Sequence, residues 1–148
     1  EPGEGFTAQR AAARGRGGVE TVVVGGDAFG FVEVIRRLEA GVAVALLVDR
    51  PPPGTGVMSE FFGRPFPASA APAELARATG CAVVPVVLPA VAGGFAARPA
   101  PGPAYDRRAL GSREARARFA GEILRAFEPA VREHPEQWFH FVPVWPAS

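Results

Sequence analysis

The spacing of apolar residues predicts strands alternating with a helix in the first third of the chain. The β-branched run 20–24 is typical of a strand. Apolar residues then recur at spacings of three and one over 31–38, as on one face of a helix, with Asp27 placed to cap its start and Gly41 to end it. The run 42–48 is continuously apolar, which indicates a strand buried on both faces. Strand, helix and strand together predict a βαβ unit in a parallel sheet.

The middle of the chain indicates two irregular segments followed by a second helix and strand. A Pro/Gly loop at 50–56 and a second segment at 61–65 interrupt any regular pattern. Ser69 is placed to cap a helix at 71–79, which ends at a glycine. The apolar, β-branched run 81–88 then predicts a third core strand.

One long helix dominates the last third. Gly93 and Gly94 predict a turn into a short strand near 95–98. Ser112 begins the helix, and Pro129 is expected to kink or restart it. The apolar stripe of this helix consists of Phe119, Ile123, Phe127 and Val131. With the earlier elements, this pattern predicts a single domain of the α/β class.

The composition is that of an ordinary globular chain and excludes several classes of function. Of the 148 residues, 48% are hydrophobic and 21% charged, and the net charge of +1 gives no attraction to nucleic acid. A single cysteine, Cys81, excludes an internal disulfide and a thiolate metal cluster. The longest apolar stretch, 81–97, is interrupted by prolines and glycines, which excludes it as a membrane span.

Asp49 is the strongest single candidate for chemistry. It follows the predicted strand 42–48, and open α/β sheets bind their ligands at the carboxyl ends of strands. The alternative is that Asp49 only caps the Pro-rich turn after it. Arg64 is similarly open to two interpretations. After Phe-Phe-Gly, it either presents its guanidinium to a phosphate or carboxylate, or is a solvated surface arginine.

The remaining chemical signals are weak. The glycines at 25–26 and 54–56 lack the lysine and spacing of a phosphate-binding loop, and no serine has the Gly-x-Ser-x-Gly frame of a hydrolase. His134 lies near a helix end, where a cation suits the dipole, so we interpret it as structural. His140 lies between two phenylalanines and is interpreted as packing.

Three stretches, in order and at consistent spacing, resemble the bacterial lipid A biosynthesis (lauroyl/myristoyl) acyltransferases and the related phosphatidylinositol mannoside acyltransferases. The first runs from Leu38-Glu-Ala-Gly41 to Asp49-Arg50. The second joins Phe61-Phe-Gly-Arg-Pro65 to Thr79-Gly-Cys-Ala-Val-Val-Pro85. The third is His134-Pro-Glu-Gln-Trp138, with Trp145 behind it. Together they cover nearly the whole chain.

The resemblance implies a glycerol-3-phosphate-acyltransferase-like α/β fold, a mixed sheet flanked by helices. Residues 1–148 would form the carboxyl-terminal portion of one acyltransferase domain. It also implies transfer of a fatty acyl group from acyl-carrier protein or acyl-CoA to a glycolipid hydroxyl, at the cytoplasmic face of the bacterial inner membrane. The implied partners are the acyl donor, the lipid acceptor and a membrane surface. No nucleic acid, metal or bound cofactor is expected.

The same resemblance assigns site residues. Asp49 matches the family's active-site aspartate after the buried strand. Arg14, Arg50 and Arg64 are the implied substrate-binding residues, Arg14 by its match to an arginine that contacts an acceptor or donor phosphate. Arg50 replaces the glutamine common in lipid A enzymes, and the tail lacks their basic cluster. Both departures point away from lipid A itself as the acceptor.

The family's catalytic motif, His-x-x-x-x-Asp/Glu, is missing from these 148 residues. The fifth residue after His134 is Phe139, and the fifth after His140 is Trp145, so neither partner is acidic. We expect that the chain starts after the motif. Two hypotheses remain, part of a lipid acyltransferase and a non-catalytic lipid- or acyl-carrier-binding module derived from that fold. A nucleotide-binding βαβ protein is a weaker third.

The 148-residue chain by itself is expected to transfer no fatty acyl group. Without a base for the hydroxyl proton, it lacks a rate factor of roughly 10²–10⁴. The measurement is transfer of labelled acyl groups from acyl-CoA or acyl-carrier protein to a glycolipid by the purified chain. Robust turnover that disappears in His134→Gln or His140→Gln would show that the chain carries its own base.

Overall fold

The structure, a computed structural model, shows a mixed α/β protein in two compact units, Glu1–Val44 and Ala45–Ser148. The described residues are 4–22, 29–52, 54–140 and 143–145. The helices and short antiparallel strand pairs confirm the predicted α/β class. Among the helices in these ranges, none combines the length and apolar character needed to cross a membrane.

The first unit consists of two helices, α1 (Glu4–Arg16) and α2 (Phe29–Glu39). The structure confirms the helix predicted from the apolar spacing, and it ends as predicted at Gly41, whose φ is 79°. The N–H groups of Gly41 and Val42 donate at 3.0 and 2.9 Å to carbonyls three and five residues back. These two bonds form a Schellman motif, which requires a left-handed residue and therefore favours glycine.

The second unit is built on a β-hairpin that the sequence pattern did not predict. Strands β1 (Gly56–Phe61) and β2 (Arg64–Ser69) pair antiparallel over their whole length. The prediction of an irregular segment at 61–65 was therefore wrong. The prolines of β2 argue against a strand, because proline has no N–H to donate. A two-stranded hairpin, however, has two open edges where a missing N–H is tolerated.

The hairpin turn consists of Phe62 and Gly63, with φ of 52° and 70°. Positive φ at both central residues is what a type I′ turn requires. This backbone region is unfavourable for phenylalanine, so the surroundings must hold it there. The N–H of Phe62 donates to Glu128 Oε1 at 2.8 Å, and the guanidinium of Arg132 lies 4.8 Å from the Phe62 ring centre.

The long helix α4 (Arg113–Glu133) packs along the hairpin and forms the core with it. Ser112 caps α4 as predicted, its Oγ accepting the N–H of Ala115 at 3.1 Å. The helix continues through Pro129 and does not restart there. The predicted apolar stripe faces the core, with Phe119 and Ile123 buried. The buried residues shared by hairpin and helix are Val57, Phe61, Phe66, Ala68, Phe119, Ala120, Ile123 and Leu124.

Helix α3 (Ala71–Thr79) forms at the predicted residues and ends, as predicted, at Gly80. Its N-cap is Ala70 and not Ser69, although Ser69 Oγ accepts the N–H of Ala71 at 3.3 Å. The hydroxyl therefore still satisfies one of the backbone donors at the start of the helix.

Tyr105 connects the end of α3 to α4. Its hydroxyl donates to the carbonyl oxygen of Cys81 at 2.5 Å, and its ring packs edge-on against Phe119 at 5.2 Å between centres. Burial is the main cause that raises the pKa of Tyr105 above its ordinary value.

The parallel sheet predicted from three apolar runs is not formed in the described part of the chain. Neither 20–22 nor 42–48 is a strand. Residues 23–24, the rest of the first predicted strand, and Asp27, the predicted cap, lie outside the described residues. The prediction of a βαβ unit from these runs was therefore wrong.

Of the third run, 81–88, only Val86–Val87 forms a strand, β3. It pairs antiparallel with β6 (Arg98–Pro99), and between them lies the hairpin of β4 (Ala90–Val91) and β5 (Gly94–Phe95). The turn predicted at the double glycine is confirmed. The single short strand predicted after it is replaced by two two-residue strands.

The run 42–48 has the apolar composition of a core strand but not the burial of one. Val48 is buried, but Leu46 and Leu47 are 42% and 65% exposed. Apolar character favours burial, whereas a strand forms only when a neighbour pairs with its N–H and C=O groups. No strand within the described ranges pairs with this run.

Gly121 provides a test of how closely α4 packs on β1. A Cβ at this position would lie 2.7 Å from Ser59 Oγ, whose hydroxyl donates to the Ala117 carbonyl at 2.7 Å. Glycine to alanine within a helix ordinarily stabilises by about 0.5–1 kcal/mol. We expect Gly121→Ala instead to lower the free energy of unfolding by about 1 kcal/mol, because Ser59 must move and lose its hydrogen bond.

Urea unfolding of four proteins measures this effect. They are the wild type, Gly121→Ala, Ser59→Ala and the double variant. In the Ser59→Ala background the added methyl has room, so Gly121→Ala should there be neutral or stabilising. An equal loss in both backgrounds would contradict the proposed steric contact.

Candidate active site

Asp49 is positioned by the residue before it. The carbonyl of buried Val48 accepts the N–H of Ser69, the last residue of β2, at 2.8 Å. Asp49 thus begins the Pro-rich loop beside the open end of the hairpin, and 22% of its side chain is exposed. The predicted route to this place, along a buried parallel strand, was wrong. Asp49 is positioned instead by the burial of Val48 and by the hydrogen bond between the Val48 carbonyl and the Ser69 N–H.

The Asp49 carboxylate joins the start of this unit to its carboxyl-terminal tail. Oδ2 accepts the indole Nε1–H of Trp138 at 3.0 Å and lies 3.2 Å from Nε2 of His140. These partners are 89 and 91 positions away in sequence. The rival interpretation of Asp49, a cap for the following turn, does not describe these contacts, because neither partner belongs to that turn.

His140 both packs and pairs. Its ring lies 4.4 Å from Trp138 and 6.3 Å from Phe66 between centres, as the packing interpretation predicted. That interpretation missed the contact with Asp49, and no local signal marks two residues so far apart in sequence. With Nε2 protonated, His140 donates to the carboxylate. Its Nδ1 is then left as an acceptor.

Asp49 and His140 line an open cleft of about 780 Å³. Its other charged lining residues are Arg50 and Arg113, both with exposed side chains. The remaining lining residues are Pro51, Pro52, Gly54, Gly56, Val57, Met58, Pro67 and Phe139. The sequence analysis did not single out Arg113, the first residue of α4, because no motif or spacing connects it to Asp49. One carboxylate, one imidazole and two guanidiniums therefore share this cleft.

The structure places the four predicted site residues in different surroundings. Arg50 lies next to Asp49 in the cleft, and its guanidinium donates to the Phe139 carbonyl. Arg64 is at the turn end of the hairpin, outside the cleft lining, and its guanidinium lies 5.0 Å from the Trp145 ring centre. Arg14 is an exposed residue of α1, in the first unit. The substrate-binding roles of these arginines stay predictions.

The closing segment is anchored through its polar atoms. The indole of Trp145 donates to the Pro65 carbonyl at 2.9 Å, and the side-chain oxygen of Gln137 accepts the Ala90 N–H at 2.7 Å. The Trp138 ring packs edge-on to Phe61 at 5.4 Å between centres. These contacts give Gln137 and Trp138 a structural role.

His134 has the structural position predicted for it. It is the C-cap of α4, and its N–H donates to the Ala130 carbonyl at 3.0 Å. Its ring nitrogens lie 3.4 Å from Glu136 and 3.7 Å from Glu133.

The cleft has groups that can bind a polar substrate and accept a proton. Within the ranges that the structure describes, no group of three or more histidine, cysteine or carboxylate side chains is arranged to hold a metal ion. What the cleft offers is a carboxylate and an imidazole able to orient or accept a proton, next to arginine donors for anions.

Fold and cleft together define a mixed α/β protein with a charged, partly apolar cleft. Residues 10–146 match the family described as bacterial lipid A biosynthesis acyltransferase, so the chain belongs to this family. The resemblance inferred from the three sequence stretches is thereby confirmed. No curated protein matches the chain significantly.

The contact between Asp49 and Trp138 can be tested with the two indole N–H resonances in a ¹⁵N–¹H spectrum. Asp49→Ala should shift the Trp138 resonance toward that of a solvent-exposed indole, because its acceptor is removed. The Trp145 resonance is an internal control, since its acceptor is the Pro65 carbonyl. Asp106→Ala, which removes a carboxylate that caps a 3₁₀ turn, should move neither. An unchanged Trp138 resonance would contradict the hydrogen bond between the Trp138 indole and the Asp49 carboxylate.

Proposed function

We propose that this chain supplies part of the substrate cleft of a lipid acyltransferase, which transfers a fatty acyl group to a lipid hydroxyl. The family match over residues 10–146 gives the reaction class. The observation that carries the proposal further is the Asp49 carboxylate, which His140 and Trp138 hold in an open cleft. A carboxylate fixed by two long-range contacts and still partly exposed can bind a substrate hydroxyl.

In the proposed reaction, the acceptor hydroxyl attacks the thioester carbonyl of the acyl donor. A base takes the hydroxyl proton, an ester bond forms, and the thiol of the donor leaves. The proposed base is the histidine of the family's His-x-x-x-x-Asp/Glu motif, which these 148 residues do not contain. Asp49 accepts a hydrogen bond from the acceptor hydroxyl, which its negative charge strengthens, or it stabilises the imidazolium that forms, which requires that charge.

The finer substrate assignments are part of the same proposal. The donor is acyl-carrier protein or acyl-CoA, without a further cofactor, and the acceptor is a glycolipid. The reaction takes place at the cytoplasmic face of the bacterial inner membrane. The complete domain adopts the glycerol-3-phosphate-acyltransferase-like fold. Support comes from the family match over residues 10–146.

The second candidate is a lipid- or acyl-carrier-binding module without catalysis. The observation that favours it is the missing histidine motif. The two candidates differ in the behaviour of the complete translated product of the gene. Transfer of labelled acyl groups to a glycolipid by that product supports the enzyme. Binding of lipid or acyl carrier without any transfer supports the module.

Replacement of Asp49 tests its role in that complete product. Asp49→Asn nearly preserves shape and keeps an oxygen acceptor for the Trp138 indole, so the melting temperature should change little. Turnover should fall at least about tenfold, because the amide cannot supply the negative charge. Asp106→Asn is the matched control, since the Asp106 carboxylate only accepts the N–H of Arg108 at a 3₁₀ turn. Wild-type turnover in Asp49→Asn would make Asp49 a structural residue.

A further inference from the structure

The cleft at Asp49 contains two arginines: Arg50, which the family resemblance implies as substrate-binding, and Arg113, which the acyl-transfer proposal leaves without a role. Arg50 comes from the Pro-rich loop and Arg113 from the start of α4, and both line the cleft. A backbone bond holds each guanidinium at the cleft wall. Arg50 donates to the Phe139 carbonyl, and Arg113 donates to the Gly56 carbonyl at 3.4 Å. Two elements far apart in sequence thus bring two permanent positive charges to one cleft.

The carboxylate in the cleft does not neutralise this pair. Asp49 Oδ2 is engaged by Trp138 and His140. Within the described part of the chain, no ion pair joins Arg50 or Arg113 to a carboxylate. Two guanidiniums against one carboxylate leave the lining positive, and a charged ligand that fits it is an anion.

Glu114 is the acidic neighbour of Arg113, and it lies outside the cleft lining. Its own backbone N–H is the largest cause that lowers its pKa, followed by the Ser112 hydroxyl, while Arg118 and Arg113 contribute less. Local capping bonds therefore stabilise this carboxylate more than the Arg113 guanidinium does.

The same cleft has an apolar wall. Met58 and Phe139 both line it and are 63% and 59% exposed. Pro51 and Pro67 add rigid apolar surface to the same lining. An anionic group bound by the arginines would therefore carry its attached carbon chain past exposed apolar side chains, which would bury that surface.

We propose that Arg50 and Arg113 form a binding pair for the phosphate ester of an amphiphilic substrate, an inference that rests on the proposed acyl transfer. Planar guanidiniums match phosphate oxygens with paired N–H donors, and Met58 and Phe139 contact the attached chain. The phosphate belongs either to the lipid acceptor or to the pantetheine-bearing acyl donor. Arg113 is thereby a specificity residue, and Arg64, at the other end of the hairpin, has no part in this pair.

Titration calorimetry of the 148-residue chain tests this pair with three probes. Dihexanoyl phosphatidic acid below its micelle concentration represents the acceptor, coenzyme A represents the donor, and dihexanoylglycerol is the uncharged control. Arg113→Gln and Arg50→Gln should each weaken the binding of a phosphate probe at least about tenfold, as expected for a charge-assisted contact. Arg125→Gln, on an exposed position of the same helix, is the matched control and should bind like wild type.

The pattern of losses identifies the source of the phosphate. A loss confined to phosphatidic acid assigns the pair to the acceptor, and one confined to coenzyme A assigns it to the donor. Wild-type chain that binds neither phosphate probe, or Arg113→Gln that binds like wild type, overturns the proposal. It is also overturned if dihexanoylglycerol binds as tightly as phosphatidic acid, or if Arg125→Gln loses as much affinity. Phosphate binding without acyl transfer by the complete gene product would overturn the proposed function alone.

Discussion

The packing of α4 against the hairpin of β1 and β2 is the constraint on which the second unit depends. These two elements supply the largest fully buried side chains. Phe61 and Phe66 come from the hairpin, and Leu124 comes from the helix. Burial of such side chains contributes roughly 1.5–3 kcal/mol each, more than the roughly 0.5–1.5 kcal/mol of a typical hydrogen bond between neutral groups. The hairpin in turn needs α4, because a two-stranded hairpin alone is marginally stable in water. Its Phe62–Gly63 turn, with positive φ at both residues, joins the two strands.

The cleft is a consequence of that packing. Ser69, at the end of β2, holds the Val48 backbone, which places the Asp49 carboxylate beside the hairpin. Two tryptophans of the tail then pack on the aromatic residues of the hairpin. The indole N–H of Trp138 donates to Asp49, and that of Trp145 donates to the Pro65 carbonyl. Asp49 is therefore both an anchor for the tail and a partly exposed carboxylate. This is why Asn is a more informative replacement than Ala in an activity measurement.

The corrections to the sequence-based fold share one physical origin. Helical spacing, caps and glycine stops are local, and α2, α3 and α4 formed where these signals predicted them. Strand formation depends on a partner that the local pattern does not reveal. The run 42–48 therefore had the composition of a core strand without becoming one, and the hairpin at Gly56–Ser69 formed despite its prolines.

The sequence by itself determined the helices, their ends, the turn at the double glycine and membership of the acyltransferase family, because each depends on neighbouring residues or on motifs in fixed order. It also singled out Asp49 and Arg50. Only the tertiary structure joined Asp49 to Trp138 and His140, brought Arg113 to the same cleft and separated Arg64 from it. Contacts between residues about 90 positions apart are set by how the hairpin, α4 and the tail pack. No spacing along the chain encodes that packing directly.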